Sequence, residues 1–373
     1  MRHNPPQRVL IINIFGIGDV LFTTPLISNL KAAYPNIHIG YLCNRRTAPL
    51  LEHNPKVDRI FVYERDEFEA IRRRSAGQYL KAVWKLIQEI KSGQFDMVLD
   101  VSWNRFMGFL AWSAGIRRRV GFDYKGRGLF LTQKIPLEGY EGRHVVDYYL
   151  DLLAEIGVTV AHKRMEFFLT REDTDWAAKF LAENDISGRP PTRLSAEPRD
   201  GEAGGPVIGL VPGGGESWGK NASLKLWPAQ RWAKLADKLI EKSAAQIILL
   251  GGSTEAGLCD SVARDMNNPC VSACGKTSLS QFAALIQRCA LIVANDGGPL
   301  HVAVAVGSKT VSIFGPVDDA VYGPYPADGQ KIVKKDLSCQ PCYRRFRRAD
   351  CGHIRCLNDL TVEEVFRKVE EIL

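Results

Sequence analysis

A chain of 373 residues exceeds what one ordinary hydrophobic core organises, so two domains are expected. With 45% hydrophobic and 24% charged residues, the composition belongs to a globular protein and excludes a disordered one. The excess of 49 basic over 42 acidic residues, +7 net, favours anionic partners. It does not choose among a nucleotide, a phosphorylated glycolipid, an anionic membrane surface and nucleic acid.

The first apolar stretch, residues 9–17, is short, contains Asn13 and stops at Asp19, so it reads as a buried strand rather than a signal peptide. No other stretch approaches the roughly 18–20 apolar residues that span a bilayer. The chain is therefore expected in the cytoplasm, with any membrane contact peripheral to the inner membrane. Residues 8–13 form a strand, Phe15-Gly-Ile-Gly-Asp19 a glycine turn, and 20–34 a helix spaced by Leu21, Leu26, Leu30 and Ala33. Further strands fall at 37–43, 59–63 and 97–101, with a long charged helix over 68–91 between the last two. Strands separated by helices mean a parallel sheet with crossover helices.

Residues 187–206, rich in proline and glycine, break the pattern and read as a linker. The pattern then restarts with a strand at 207–211, the turn Pro212-Gly-Gly-Gly215 and a helix at 228–241. Strands follow at 246–250, 291–294 and 310–314, with helices near 255–266, 279–288 and 299–306 between them. A last helix covers 361–373, with Thr361 as its N-cap. The predicted organisation is an N-terminal Rossmann-like domain over 1–186, the linker, a second such domain over 207–358, and a helix over 359–373 packing back toward the first domain.

Three loops have chemistry in reach. In Gly16-Ile-Gly-Asp19, glycines at a strand-to-helix turn let backbone approach a ligand. Asp19 there is either a general base facing a cleft or an acid favoured by the helix dipole. The turn lacks the third glycine of a dinucleotide fingerprint, and the second strand ends in Cys43-Asn44 with no ribose-binding acid, which argues against a dehydrogenase. In the second loop, Gly214, Gly215 and Ser217 form a candidate phosphate cradle. Lys225, just before the helix that Pro228 starts, either neutralises a departing diphosphate or is an ordinary surface lysine. The third loop is Asn295-Asp-Gly-Gly-Pro-Leu-His301, where Gly297, Gly298 and Pro299 offer backbone N–H groups to an anion. Asp296 orients hydroxyls, caps the helix, or does both.

Cys43, Cys259, Cys270, Cys274 and Cys289 lie in apolar or helical contexts and read as small buried hydrophobes. Cys339, Cys342, Cys351 and Cys356 cluster in a basic loop and suit a structural zinc ion better than disulfides, with free thiols as the competing reading. Gly275-Lys-Thr277 resembles a Walker loop but has Cys270 where the first glycine belongs. Asp173-Thr-Asp175 has the spacing of a metal-binding acidic pair but lies in a charged helix start. The arginine triplets 72–74 and 117–119 are not accompanied by a nucleic-acid-binding motif, so nucleic acid is not expected as a partner. They suit a solvated face or a docking patch for phosphorylated lipid.

Taken together, the segments Arg8-Val-Leu-Ile, Gly16-Ile-Gly-Asp-Val-Leu, Thr24-Pro25, Lys225-Leu-Trp-Pro228, Gly251-Gly-Ser-Thr-Glu255, Asn295 to His301 and Cys356-Leu-Asn-Asp-Leu-Thr-Val-Glu-Glu-Val365 resemble glycosyltransferase family nine, the ADP-heptose:lipopolysaccharide heptosyltransferases. Arg119-Val-Gly-Phe122 and His144-Val-Val-Asp-Tyr-Tyr149 also resemble family positions. The resemblance implies an α/β GT-B fold, two facing Rossmann-like domains with parallel sheets, the acceptor on the first and the nucleotide sugar on the second. It implies an inverting transfer of heptose from ADP-heptose to the inner core of lipopolysaccharide with no catalytic cofactor. Asp19 would be the base and Lys225 the contact to the diphosphate, with Glu255 on donor hydroxyls. Asp296, Gly297, Gly298 and His301 would surround the diphosphate and sugar, and Gly16, Gly18, Thr24 and Arg119 would lie on the acceptor side. The family often has Thr where Gly297 stands. Rival readings are another nucleotide sugar and surface glycan, or a non-catalytic sugar-nucleotide-binding protein.

Overall fold

The structure, a computed structural model, describes residues 5–187, 205–215 and 218–373. The chain divides into two compact units, Met1–Met165 and Glu166–Leu373.

In the first unit the chain runs β1 (Arg8–Ile12), α1 (Ile17–Phe22), α2 (Thr24–Ala33), β2 (His38–Cys43), α3 (Pro49–Glu52), β3 (Arg59–Val62), α4 (Arg65–Arg74), α5 (Ala76–Ser92), β4 (Met97–Asp100), α6 (Arg105–Ser113), β5 (Arg118–Tyr124), β6 (Gln133–Leu137) and α7 (Val145–Ala154). The six strands make one parallel sheet in the order β3-β2-β1-β4-β5-β6. Helices cover both of its faces, so the central strands read as unbroken Val, Leu and Ile. On one face, Leu10, Ile12 and Val98 pack against Val83, Leu86 and Ile90 of α5 and Met107 and Leu110 of α6.

Two expected helices are each divided. The segment 68–91 breaks at Ser75, which is extended (φ −160°, ψ 120°) and whose hydroxyl accepts the Gln78 N–H at 3.3 Å. A serine offered an N-cap leaves the helix interior readily. The segment 20–34 breaks at Thr23, whose hydroxyl donates to the Val20 carbonyl at 2.7 Å and lies 2.6 Å from the Tyr41 hydroxyl. Strands β5 and β6 were not expected, because arginines open β5 and Pro136 interrupts β6. At the sheet edge, where β6 lies, a missing N–H is tolerated.

The second unit contains α8 (Arg171–Glu183), β7 (Val207–Val211), α9 (Ala229–Ser243), β8 (Gln246–Leu249), α10 (Ala256–Asp265), β9 (Val271–Ser272), α11 (Leu279–Arg288), β10 (Leu291–Asn295), α12 (Gly298–Ala305), β11 (Thr310–Ile313), α13 (Asp319–Tyr322), β12 (Gln330–Val333), the short ribbon β13 (Tyr343–Arg344) and β14 (Arg347–Arg348), α14 (Arg355–Asn358) and α15 (Val362–Glu370). Its main sheet is parallel, in the order β12-β11-β10-β7-β8-β9. Helix α8, assigned from sequence to the first domain, packs on α11. Composition marks where a pattern breaks, not which core a helix joins. Most of the linker predicted at 187–206 lies outside the described residues. The C-terminal helix, expected to pack toward the first domain, buries Val365, Phe366 and Val369 in the second unit's core beside Trp227 and Trp232. Its predicted cap is present: Thr361 accepts the Glu364 N–H at 3.3 Å.

Candidate active site

In each sheet the strand order reverses beside the first strand, between β1 and β4 and between β7 and β10. Open parallel sheets bind ligands at the carboxyl ends of such strands. The glycine turn after β1 ends in α1, with Gly16 as N-cap, Gly18 as the second helical residue and Asp19 as the third. The Asp19 carboxylate accepts the Gly16 N–H at 3.3 Å. Two asparagines hold this turn. Asn13 donates to the Asp19 carbonyl at 2.9 Å and accepts the Phe15 N–H at 3.1 Å. Asn44 donates to the Phe15 carbonyl at 2.6 Å. Asp19 is half-buried among phenols: burial, and then the Asp19 charge, push the Tyr149 phenol well above its ordinary range. At the end of β4, Asp100 accepts the Ser102 N–H at 2.8 Å and its hydroxyl at 2.6 Å, yet burial lifts its pKa to about 6.

In the second unit three loops converge at the carboxyl ends of β8, β7 and β10, which are neighbours in that order. After β7 come Gly213 to Gly215, the last at φ +69°, where a side chain is disfavoured. From the loop after β8, Glu255 reaches this turn: one carboxylate oxygen accepts the Gly215 N–H at 2.9 Å and the other the Gly252 N–H at 2.8 Å. From the other side, Asn295 at the end of β10 donates to the Pro212 carbonyl at 2.6 Å and accepts the Trp227 N–H at 3.2 Å. Asp296 follows it and pairs with Lys225 at 2.7 Å, both side chains 7% exposed or less. The Lys225 ammonium also lies 5.2 Å from the centre of the Trp218 ring. Gly297 and Gly298 open α12, and His301 lies buried one turn further on. A Cβ at Gly297 would fall 2.1 Å from the Gly214 carbonyl oxygen. The backbone at this position therefore favours glycine.

The structure thus brings Gly214, Gly215, Lys225, Glu255, Asp296, Gly297, Gly298 and His301 into one neighbourhood. Ser217 lies outside the described residues. Two residues expected on the acceptor side bond within the first unit. Thr24 is fully buried, and its hydroxyl donates to the Leu21 carbonyl at 2.7 Å, so it holds the junction of α1 and α2. Arg119 sits near the amino end of β5, opposite Val98, where its guanidinium donates to the carbonyls of Ile116, Arg117 and Phe130. Sequence reasoning did not single out Asn13, Asn44 and Asn295. Their shared signal is an asparagine at the carboxyl end of an apolar strand, where a side-chain amide can tie two loops.

The cysteine readings also change. Cys259 and Cys274 form a disulfide rather than separate buried thiols, joining α10 to the segment after β9. Cys339, Cys342, Cys351 and Cys356 line one cavity of about 660 Å³ with His353. Burial, then the neighbouring Cys342, Cys351 and Cys339, push the Cys356 thiol up to about 11, which favours thiol over thiolate at neutral pH. Among the described residues, no three His, Cys, Asp or Glu side chains converge as a metal ion requires. The group as arranged does not fit the structural zinc expected there. Also among the described residues, no helix is long and apolar enough to cross a membrane.

Relatives of known activity share this architecture along its whole length. Lipopolysaccharide heptosyltransferase 3 of Escherichia coli K12 is 24% identical over 362 residues, 95% of either chain. A solved glycosyltransferase family 9 structure from Veillonella parvula superposes with a TM-score of 0.80 at 24% identity, covering 98% of this chain and 97% of that one. The solved E. coli ADP-heptose lps heptosyltransferase II gives 0.72 at 20% identity, covering 98% of each. Two parallel six-stranded sheets with these neighbours make the GT-B fold. The sequence profile of glycosyltransferase family 9 (heptosyltransferase) matches residues 83–353, including the three convergent loops of the second unit. The chain belongs to that family and is a glycosyltransferase.

Proposed function

We propose that this glycosyltransferase moves a heptose from ADP-heptose to the core of lipopolysaccharide, with inversion at the anomeric carbon. The reading draws on the named activities of its relatives and rests most on one observation, the convergence of Gly215, Glu255 and the Lys225–Asp296 pair at one sheet edge. The second unit would hold the donor. The Lys225 ammonium and the backbone N–H groups that open α12 would meet the diphosphate. Asp296 would keep that ammonium aimed. The Glu255 carboxylate, already fixed by two backbone N–H groups, would accept from donor hydroxyls.

The first unit would take the acceptor. Asp19 removes the proton from the acceptor hydroxyl as that oxygen bonds to the anomeric carbon, and the bond from that carbon to the diphosphate oxygen breaks on the opposite side. ADP leaves with its negative charge stabilised by Lys225 and the amides. The scheme uses side chains and backbone only. Because the acceptor is a lipid-linked glycan, the enzyme would work in the cytoplasm against the inner membrane.

The test is to incubate the protein with ADP-heptose and truncated core acceptors and follow the acceptor by mass spectrometry. A gain of one heptose residue with release of ADP is expected. Transfer from a different nucleotide sugar in preference to ADP-heptose would reassign the donor, and donor binding without transfer to any acceptor would turn the reading to a binding protein.

A further inference from the structure

We propose that the helical layer α4–α5–α6 of the first unit, with the turn after β5, is a docking face for an anionic bilayer. All three helices cover the same face of the first sheet, since Phe68, Val83, Leu86, Met107 and Leu110 share one core cluster. Their outward surface is unusually apolar. Leu80 and Trp84, four residues apart on α5, are 65% and 62% exposed, Trp112 at the end of α6 is 53% exposed, and Leu129 after β5 is 65% exposed. Trp112 is not isolated: its ring lies 6.1 Å from Phe109 and 5.7 Å from Phe130, both only partly buried. Isolated exposed apolar residues are ordinary, but clustered tryptophan, phenylalanine and leucine on one layer signal an interaction surface.

The charge around these side chains selects the occupant. Residues 71–88 contain Arg72, Arg73, Arg74, Lys81 and Lys85 and no acid. Residues 101–134 contain seven basic side chains and one acid, Asp123, whose carboxylate is engaged by the Gly128 N–H at 2.9 Å. Arg105, Lys125 and Arg127 are exposed beside the carboxyl end of β5, and Arg117 is exposed beyond the end of α6. Four acids temper the field at the edges of the layer: Asp66, Glu67 and Glu69 in the first half of α4, paired with Arg65, Arg45 and Arg72, and Glu89 near the end of α5, 3.8 Å from Lys85. Tryptophans and leucines set among lysines and arginines match the boundary of an anionic membrane, where rings sit at headgroup depth and cations meet lipid phosphates. A protein partner would ask for apolar area with matched polar groups of both signs, whereas the charged side chains between residues 71 and 88 and along α6 that flank the exposed tryptophans and leucines are basic.

The placement has a consequence for the reaction. Helix α6 starts, and the turn after β5 begins, at the carboxyl edge of the first sheet, the edge that carries Asp19. A bilayer on this face would hold a lipid-linked acceptor near that edge. The inference deepens the lipid-linked acceptor reading. It is separable from it, because lipid binding is measured with no sugar present.

The experiment is flotation of the full chain with vesicles of phosphatidylcholine alone and of phosphatidylcholine mixed with phosphatidylglycerol. The expected result is binding to the mixed vesicles only, weakened by salt. Two independent variants, Trp84→Gln with Trp112→Gln and Arg73→Gln with Arg74→Gln, should each lower that binding by about tenfold. Because the replaced side chains are largely exposed, thermal melting should not change. Failure of the wild type to float with either vesicle, or wild-type binding by both variants, would overturn the proposal. So would a dimer in sedimentation that the tryptophan variant alone dissociates, since a second copy would then be the occupant.

Discussion

The two units open alike, with strand, glycine turn and helix, yet they treat charge in opposite ways. In the first, the turn keeps one carboxylate on its own helix, half-buried, with the Gly16 N–H at 3.3 Å. In the second, the turn contributes no charged side chain among its described residues and is gripped by a carboxylate from the loop after β8, while a lysine and an aspartate beside it are almost wholly buried and neutralise each other. The same scaffold therefore presents an acid in one place and, in the other, backbone amides fixed beside a buried ion pair, the arrangement we propose as an anion cradle. A reactive group needs access and a raised proton affinity, whereas a cradle needs fixed dipoles that do not reorganise when the anion arrives.

This contrast can be broken by substitution. The largest expected effect is Asp19→Asn, which keeps an oxygen for the Gly16 N–H but removes the proposed base. Turnover should fall by about two to four orders of magnitude while the melting temperature stays near that of the wild type. Steady-state rates above a tenth of wild type would remove Asp19 from the chemistry. Next comes Lys225→Ala, which strands a buried carboxylate and should destabilise the second unit by about 3–5 kcal/mol in urea denaturation. Lys225→Met combined with Asp296→Asn should recover most of that loss. If the single variant is as stable as the wild type, the pair is not buried as described. A smaller loss, about 1–3 kcal/mol, is expected for Gly297→Ala, whose Cβ has the Gly214 carbonyl oxygen in its way.

The smallest effect belongs to the first sheet's other carboxylate. Folding raises the Asp100 pKa from the unfolded 3.8 to about 6, so the folded state holds this proton more tightly. The stability it contributes is complete below the unfolded value and lost as pH rises through about 6. Asp100→Asn should therefore melt like the wild type near pH 4 and at a higher temperature above pH 6. Parallel melting curves across that window would show that Asp100 does not titrate there.

Much of this arrangement was legible in the sequence. Apolar runs of β-branched residues marked the central strands, and glycines with a nearby acid or lysine marked the loops, because both signals are local. The misses were caps that interrupt a periodic run and contacts between distant residues. Ser75 and Thr23 divide helices by bonding backbone or a distant tyrosine, which periodicity does not register. The Lys225–Asp296 pair joins residues 71 positions apart, and the Cys259–Cys274 bridge depends on where α10 lies against the segment after β9. Arg119 resembles a family position by sequence alone, while the structure adds what no local pattern gives, its guanidinium held by backbone carbonyls near the amino end of its strand.

Titration calorimetry with ADP-heptose most directly tests the division of labour between the units. The account predicts that Asp19→Asn binds the donor within about twofold of wild-type affinity, while Lys225→Met with Asp296→Asn, still folded, binds it at least tenfold more weakly. Loss of donor affinity in Asp19→Asn, with wild-type affinity in the paired variant, would contradict it.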